Sequence, residues 1–227
     1  VARPLIIAID GPAGAGKSTV SKILALRLGF TLVDTGAIYR CVALKARRMG
    51  VAFDDQPGLA RVLRDLDVRF QMDEEKNHVF LDGADVSEEI RTPDISLAAS
   101  QVSSRPVVRE GLLELQRRLA LSAERGAILE GRDIGTVVFP DADLKIFLFA
   151  DPTVRARRRY EELFQRGHEK PIGEVLAEQN RRDKEDSERD VAPLKPADDA
   201  VRIDSTDLPL SEVVHRIETL VQARRGR

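Results

Sequence analysis

Leu5-Ile6-Ile7-Ala8-Ile9-Asp10 runs directly into Gly11-Pro12-Ala13-Gly14-Ala15-Gly16-Lys17-Ser18, and this stretch decides the fold. The first part, apolar up to its last residue, reads as a strand buried on both faces. The glycine-rich part matches G-x-x-x-x-G-K-[ST] at every fixed position. Lys17–Leu28 then reads as a helix. Strand, glycine loop and helix in that order make a phosphate cradle. Glycines let successive N–H groups turn inward, the lysine reaches the β- and γ-phosphates, and the serine hydroxyl offers an oxygen to Mg²⁺. The helix that opens there aims its positive end at the anion. With average residue usage the pattern arises by accident in about one per cent of chains this long, and the flanking strand and helix lower that further. Gly11, Pro12, Ala13, Gly14, Ala15, Gly16, Lys17, Ser18 and Thr19 are the candidate cradle for ATP or GTP.

Working outward, four more apolar runs read as buried parallel strands: Thr31–Asp34, Ala127–Glu130, Leu144–Ala150 and Ala200–Asp204. Helical patterns lie between and after them at Ala37–Met49, Pro106–Glu124, Pro152–Gln165, Ile172–Glu188 and Ser211–Arg224. Thr92-Pro93-Asp94 and Asp151-Pro152-Thr153 place proline where a first helical turn tolerates it. One region departs from this alternation. Val68–Met72, His78–Leu81 and Asp85-Val86, with Asp82-Gly83 between the last two, predict a small antiparallel meander inserted on the sheet. The expected architecture is a three-layer α/β core with a five-stranded parallel sheet and two excursions, near residues 35–103 and 150–187.

The 227 residues fit one domain with insertions. A net charge of −2 argues against a protein that coats nucleic acid. The single cysteine, Cys41, permits no internal disulfide. Val1-Ala2-Arg3-Pro4 and the short apolar run after it lack a secretory pattern, and no stretch is long enough to span a membrane. The expectation is a soluble, cytoplasmic monomer. His78, His168 and His215 have no partner at zinc-ligand spacing.

A guanine-binding switch would need N-K-x-D, which neither Asn77 nor Asn180 starts, and no L-S-G-G-Q signature is present. Arginines cluster downstream instead, at Arg132, Arg155, Arg157–Arg159, Arg181, Arg182 and Arg189. Phosphoryl transfer is mostly positioning and stabilisation of charge on the moving group, which suits converging guanidinium forks. For the Arg155–Arg159 run a solvated face paired with Glu161 and Glu162 is a standing alternative.

Asp34-Thr35-Gly36-Ala37-Ile38-Tyr39-Arg40 resembles the D-[ST]-G-A-x-Y-R segment of bacterial cytidylate kinases. Asp85–Arg91, Ala99–Ser103, Gly131–Pro140, Arg182–Arg189 with Ala192-Pro193-Leu194, and Asp204-Ser205-Thr206 resemble that family as well, in order along essentially the whole chain. The resemblance implies a P-loop nucleoside monophosphate kinase using ATP and CMP or dCMP. It also implies a nucleotide-accepting subdomain at 35–103 enlarged by a three-stranded insert, a helical lid within 150–187, and a core of 1–34, 104–149 and 188–227.

Matched position by position, the resemblance assigns cytosine to Ser100, Arg109 and Asp133. A carboxylate accepts from the 4-amino group and an arginine donates to N3 or O2, contacts that uracil would mismatch. It assigns the sugar hydroxyls to Asp186 and the acceptor's phosphate to Tyr39, Arg40, Arg132 and Arg189, with Thr35 beside them. Arg158 and Arg182 join Lys17 around the transferring group. Ser18 is the direct candidate for Mg²⁺, with Asp34 acting through water. Asp151 reads as a helix cap, since Pro152 follows it. Two departures from the family pattern, Glu130 for aspartate and Thr35 for serine, keep the chemical type.

Overall fold

The computed structural model describes residues 3–74 and 76–225. Val1 and Ala2, which open the N-terminal stretch read above, therefore lie outside the described residues, as do 75, 226 and 227 of the expected domain. Five strands form one sheet in the order β2-β6-β1-β7-β8. They are β1 (Leu5–Asp10), β2 (Thr31–Asp34), β6 (Gly126–Gly131), β7 (Leu144–Phe149) and β8 (Val201–Asp204). Thr31 pairs with Ala127, Ile7 with Leu144 and Ile146 with Val201, all in parallel registers. The sequence places every one of these strands to within a residue. Near-continuous burial along β1, β6 and β7 is the reason, because strands covered on both faces carry apolar runs.

Two compact units make up the chain, the first within Val1–Leu5 and Ala25–Glu130, the second within Ile6–Leu24 and Gly131–Arg227. The first holds β2, β6 and the helices α2 (Thr35–Arg48), α3 (Gln56–Arg64), α4 (Pro93–Ser103) and α5 (Pro106–Leu121). Asp34 starts α2, its carboxylate accepting the Ala37 N–H at 2.9 Å. Sequence periodicity does not mark α3, which is only nine residues long. Its signal is the cap, Asp55 accepting the Gly58 N–H, with Pro57 in the first turn.

The predicted meander is a separate three-stranded antiparallel sheet of β3 (Val68–Met72), β4 (Asn77–Leu81) and β5 (Ala84–Asp85). Asp82 and Gly83 turn β4 into β5 with φ of 50° and 85°. Two positive φ values in a two-residue loop are what a hairpin twist requires, and glycine takes the second freely. On β4, His78 bonds two carboxylates, Asp73 at 2.7 Å and Asp85 at 3.1 Å. The hydrogen bond to Asp85, then that to Asp73, raises the His78 pKa. Asp85 is pulled down to about 2 by the Ser87 hydroxyl and N–H, then by His78. A raised histidine pKa stabilises the fold fully below its unfolded value of about 6.5, and that stabilisation is lost as pH rises through the folded value. Wild type should therefore exceed His78→Gln in Tm at pH 6 by more than at pH 9. The gap should stay under about 3 °C because exposed pairs contribute little. An equal gap at both pH values would remove the histidine's charge from the account.

The second unit holds β1, β7, β8, most of α1 (Lys17–Leu28), and α6 (Pro152–Gln165), α7 (Ile172–Glu188) and α8 (Leu210–Arg225). Its core gathers Ile7, Ile9, Leu148 and Ile203 from the strands with Val213, Val214, Ile217 and Val221 of α8. Asp151 caps α6 through the Thr153 N–H at 2.8 Å, as Pro152 implies. Among the described residues no helix is long and apolar enough to cross a membrane.

Candidate active site

The glycine loop leaves β1 with Gly11 at φ 150°. A Cβ there would lie 1.9 Å from the Leu148 carbonyl oxygen of β7, so only glycine lets the loop pass so close. Lys17, 7% exposed, folds over the loop and donates from Nζ to the Pro12 carbonyl at 2.8 Å. Ser18 and Thr19 are exposed in the first turn of α1, where backbone N–H groups have no partner within the helix. The loop thus ends in one buried cation, followed by two exposed hydroxyls where α1 begins.

Behind the loop lies a residue that the sequence reading passed over. Asp10 is 5% exposed, and its two carboxylate oxygens accept the Ile134 and Gly135 N–H groups, each at 2.8 Å. Burial raises its pKa to about 6, against the pull of those two N–H groups. Ile134 and Gly135 begin a π-helical turn, Ile134–Val138, directly after Arg132 and Asp133. Asp133 is buried, and its carboxylate does not cap that turn.

The downstream arginines separate into two groups. Arg157 and Arg159 lie on the solvated face of α6, facing Glu161 at 4.0 Å and Glu162 at 2.8 Å. Arg155 and Arg158 turn inward. Arg155 is 4% exposed and donates to Ala150 and to Ala13 of the glycine loop, both at 2.9 Å, while pairing with Asp183 at 2.7 Å. Arg158 donates to the Ser205 carbonyl at 2.7 Å and to its hydroxyl at 3.2 Å. Ser205 in turn donates to the loop carbonyl of Ala15 at 3.1 Å. Neither Ser205 nor Asp183 stands out by composition, since both act through neighbours that only folding supplies.

One turn beyond Asp183 on α7, Asp186 is the centre of an arginine cluster. Arg132 Nε donates to it at 2.9 Å and Arg189 Nη1 at 3.3 Å. Burial alone would raise the Asp186 pKa, but the charges of Arg132, Arg182 and Arg189 outweigh it and hold the carboxyl below its ordinary value. Arg189 is fixed further by the Ala192 carbonyl at 2.6 Å, with Ala192 in the left-handed region at φ 52°. The structure thus brings Lys17, Arg132, Arg158, Arg182, Asp186 and Arg189 onto elements of one unit that are tied to the glycine loop. Arg155 supplies the tie between loop and α7.

In the other unit the remaining expected acceptor residues, Thr35, Tyr39, Arg40, Ser100 and Arg109, lie on three helices. Arg109 of α5, 7% exposed, has its guanidinium 5.4 Å above the Tyr39 ring of α2 and donates to the Ser103 carbonyl at 2.9 Å. Ser100 precedes that carbonyl by one turn on α4, and Arg40 follows Tyr39 half-buried on α2. Thr35 is buried and donates its hydroxyl to the Glu130 carbonyl at 2.7 Å. Asp34 Oδ1 caps α2 by accepting the Ala37 N–H at 2.9 Å. Mg²⁺ needs one or two protein oxygens beside substrate phosphates and water. Ser18, exposed in its unit, and Asp34, half-buried in the other, each carry oxygen of that hard chemistry.

Comparison with known proteins adds to this geometry. The family model described as cytidylate kinase matches residues 7–223. A cytidylate kinase of Geobacter sp. (strain M21) is 53% identical over 97% of this chain and 94% of its own length. One from Geobacter sulfurreducens is 53% identical over 98% and 94%, and one from Pelotomaculum thermopropionicum 53% identical over 96% of each.

Proposed function

The chain belongs to the cytidylate kinase family, and from that membership we propose that it transfers the γ-phosphate of ATP to CMP and dCMP, giving ADP with CDP or dCDP. The observation that carries the reading is the arginine cluster around Asp186, tied through Arg155 to the loop that holds Lys17. An acceptor phosphate beside a polyphosphate needs that density of fixed positive charge.

In the transfer, an oxygen of the CMP phosphate attacks the γ-phosphorus in line while the bond to the β-bridging oxygen breaks. No general base is required, because the acceptor phosphate is already anionic. The loop from Gly11 to Thr19 binds ATP, and Lys17 with Arg182 and Arg158 balances charge on the moving group. Arg132, Arg189, Tyr39 and Arg40 hold the acceptor's phosphate, with Thr35 beside them, and Asp186 holds its sugar. Ser100, Arg109 and Asp133 read cytosine. Mg²⁺, held by Ser18 and through water by Asp34, would neutralise the β- and γ-oxygens when bound. Residues 35–103 form the acceptor subdomain and 150–187 the lid, which excludes water that would otherwise hydrolyse ATP. The setting is pyrimidine nucleotide metabolism in the cytoplasm, and the working form is a monomer.

ADP release with CMP, dCMP, UMP, AMP, GMP and shikimate as acceptors tests the reading. Selective turnover with CMP and dCMP supports it, and preference for another acceptor removes the roles of Ser100, Arg109 and Asp133. Arg158→Ala should lower kcat about tenfold while the CMP KM stays within about twofold, the pattern of a contact made only in the transition state. An unchanged kcat takes Arg158 out of the mechanism.

A further inference from the structure

Asp10 has no role in the transfer as set out above, yet it is covalently joined to Gly11 and hydrogen-bonded to the residues that follow Arg132-Asp133. Its Oδ1 accepts from Ile134 and its Oδ2 from Gly135, both at 2.8 Å. Two adjacent N–H groups on one carboxylate leave the side chain no rotational choice, and they fix the peptide they belong to. The charges around it are Lys17 of α1, which stabilises the carboxylate, and Asp133 of the turn, which opposes it. Lys145 of β7 lies beside Gly135, its Cδ 3.1 Å from where a Cβ would stand.

We infer that Asp10 is a positioning residue for the transfer, its carboxylate anchoring the Arg132-Asp133 turn to the head of the phosphate loop. The inference rests on the assignment of Arg132 and Asp133 to the acceptor. It follows that acceptor binding depends on the Asp10 side chain and nucleotide binding does not, since the loop's own amides remain in place without it. Only a group with two acceptor oxygens satisfies both N–H donors. An asparagine would accept one and set its own N–H against the other, leaving a buried donor unmatched.

The test is Asp10→Asn beside Arg132→Ala, with KM for CMP and ATP measured from pH 5 to 8. At pH 8, Asp10→Asn should raise the CMP KM about tenfold and leave the ATP KM within about twofold, the loss expected for one charge-assisted bond. The mutant-to-wild-type ratio should fall towards one below pH about 6, where the wild-type carboxyl is itself protonated and presents an O–H to an N–H. Taking the ratio cancels the titration of the CMP phosphate, near pH ~6 in both proteins. A contribution to stability alone would give no such convergence.

An unchanged CMP KM, or an ATP KM that rises as much, overturns the inference if Arg132→Ala still weakens CMP. If Arg132→Ala leaves the CMP KM unchanged, the acceptor assignment fails and takes this inference with it. Should Asp10→Asn not fold, Asp10→Glu probes the same link by pushing both oxygens one methylene beyond the Ile134 and Gly135 N–H groups, and the CMP KM should rise about threefold with the ATP KM unmoved. No rise there overturns the inference equally.

Discussion

Lys17→Ala should lower kcat by about 10³-fold with CMP saturating, the scale of removing one preorganised donor from a phosphoryl-transfer site. Lys17 is 7% exposed, and its ammonium is held to the Pro12 carbonyl at 2.8 Å. That anchor orients an ammonium that can donate up to three hydrogen bonds. The substitution removes no apolar packing of consequence, and Tm should stay within about 3 °C of wild type. It also removes the cation that favours the ionised form of Asp10, so the already raised Asp10 pKa should rise further. Lys17→Arg should recover little, because a planar fork does not match the place of a compact charge held against the Pro12 carbonyl. Single-turnover kinetics separate the transfer step from product release. A kcat within tenfold of wild type would mean that the arginines, and not Lys17, carry the charge balance.

Most of the framework was legible because it is written in local pattern. The apolar runs of β1, β6 and β7 and the glycine loop leave one reading each, and Asp82-Gly83 marks its own turn. The small sheet shows as three short runs close together in sequence, the last two flanking that turn. What stayed hidden depends on pairings across the chain. In Arg155–Arg159 the spacing of charges cannot distinguish Arg157, paired with Glu161 in solvent, from Arg155, buried between Ala13 and Asp183. Asp10 read as the end of a strand, because its partners lie more than 120 residues away. The resemblance to a family supplied roles for Arg132, Asp186 and Arg189. The folded chain supplies their shared geometry.

That geometry makes Asp186 the other residue whose loss should be severe. Asp186→Ala leaves the Arg132 and Arg189 guanidinium groups, 19% and 10% exposed, converging without their shared carboxylate. Removing one partner of a mostly buried ion pair costs about 3 kcal/mol, or roughly 6–12 °C in Tm for a chain of this size. The CMP KM should rise about 30-fold, because the two arginines proposed to hold the acceptor's phosphate lose their shared anchor. Asp186→Asn keeps the volume and one acceptor and should fall between the extremes. The pH dependence has a definite sign. A carboxyl held below its ordinary value stabilises the fold above the unfolded pKa of about 3.9, and that stabilisation fades as pH falls through the folded value. The Tm gap between wild type and Asp186→Ala should therefore persist from pH 5 to 8 and narrow only below about pH 4. If Asp186 also holds sugar hydroxyls, the alanine variant should lose more activity with CMP than with dCMP, which has one fewer hydroxyl to lose. Equal losses with both would limit Asp186 to ordering the arginines. A Tm within a degree of wild type would show that the cluster does not need its central charge.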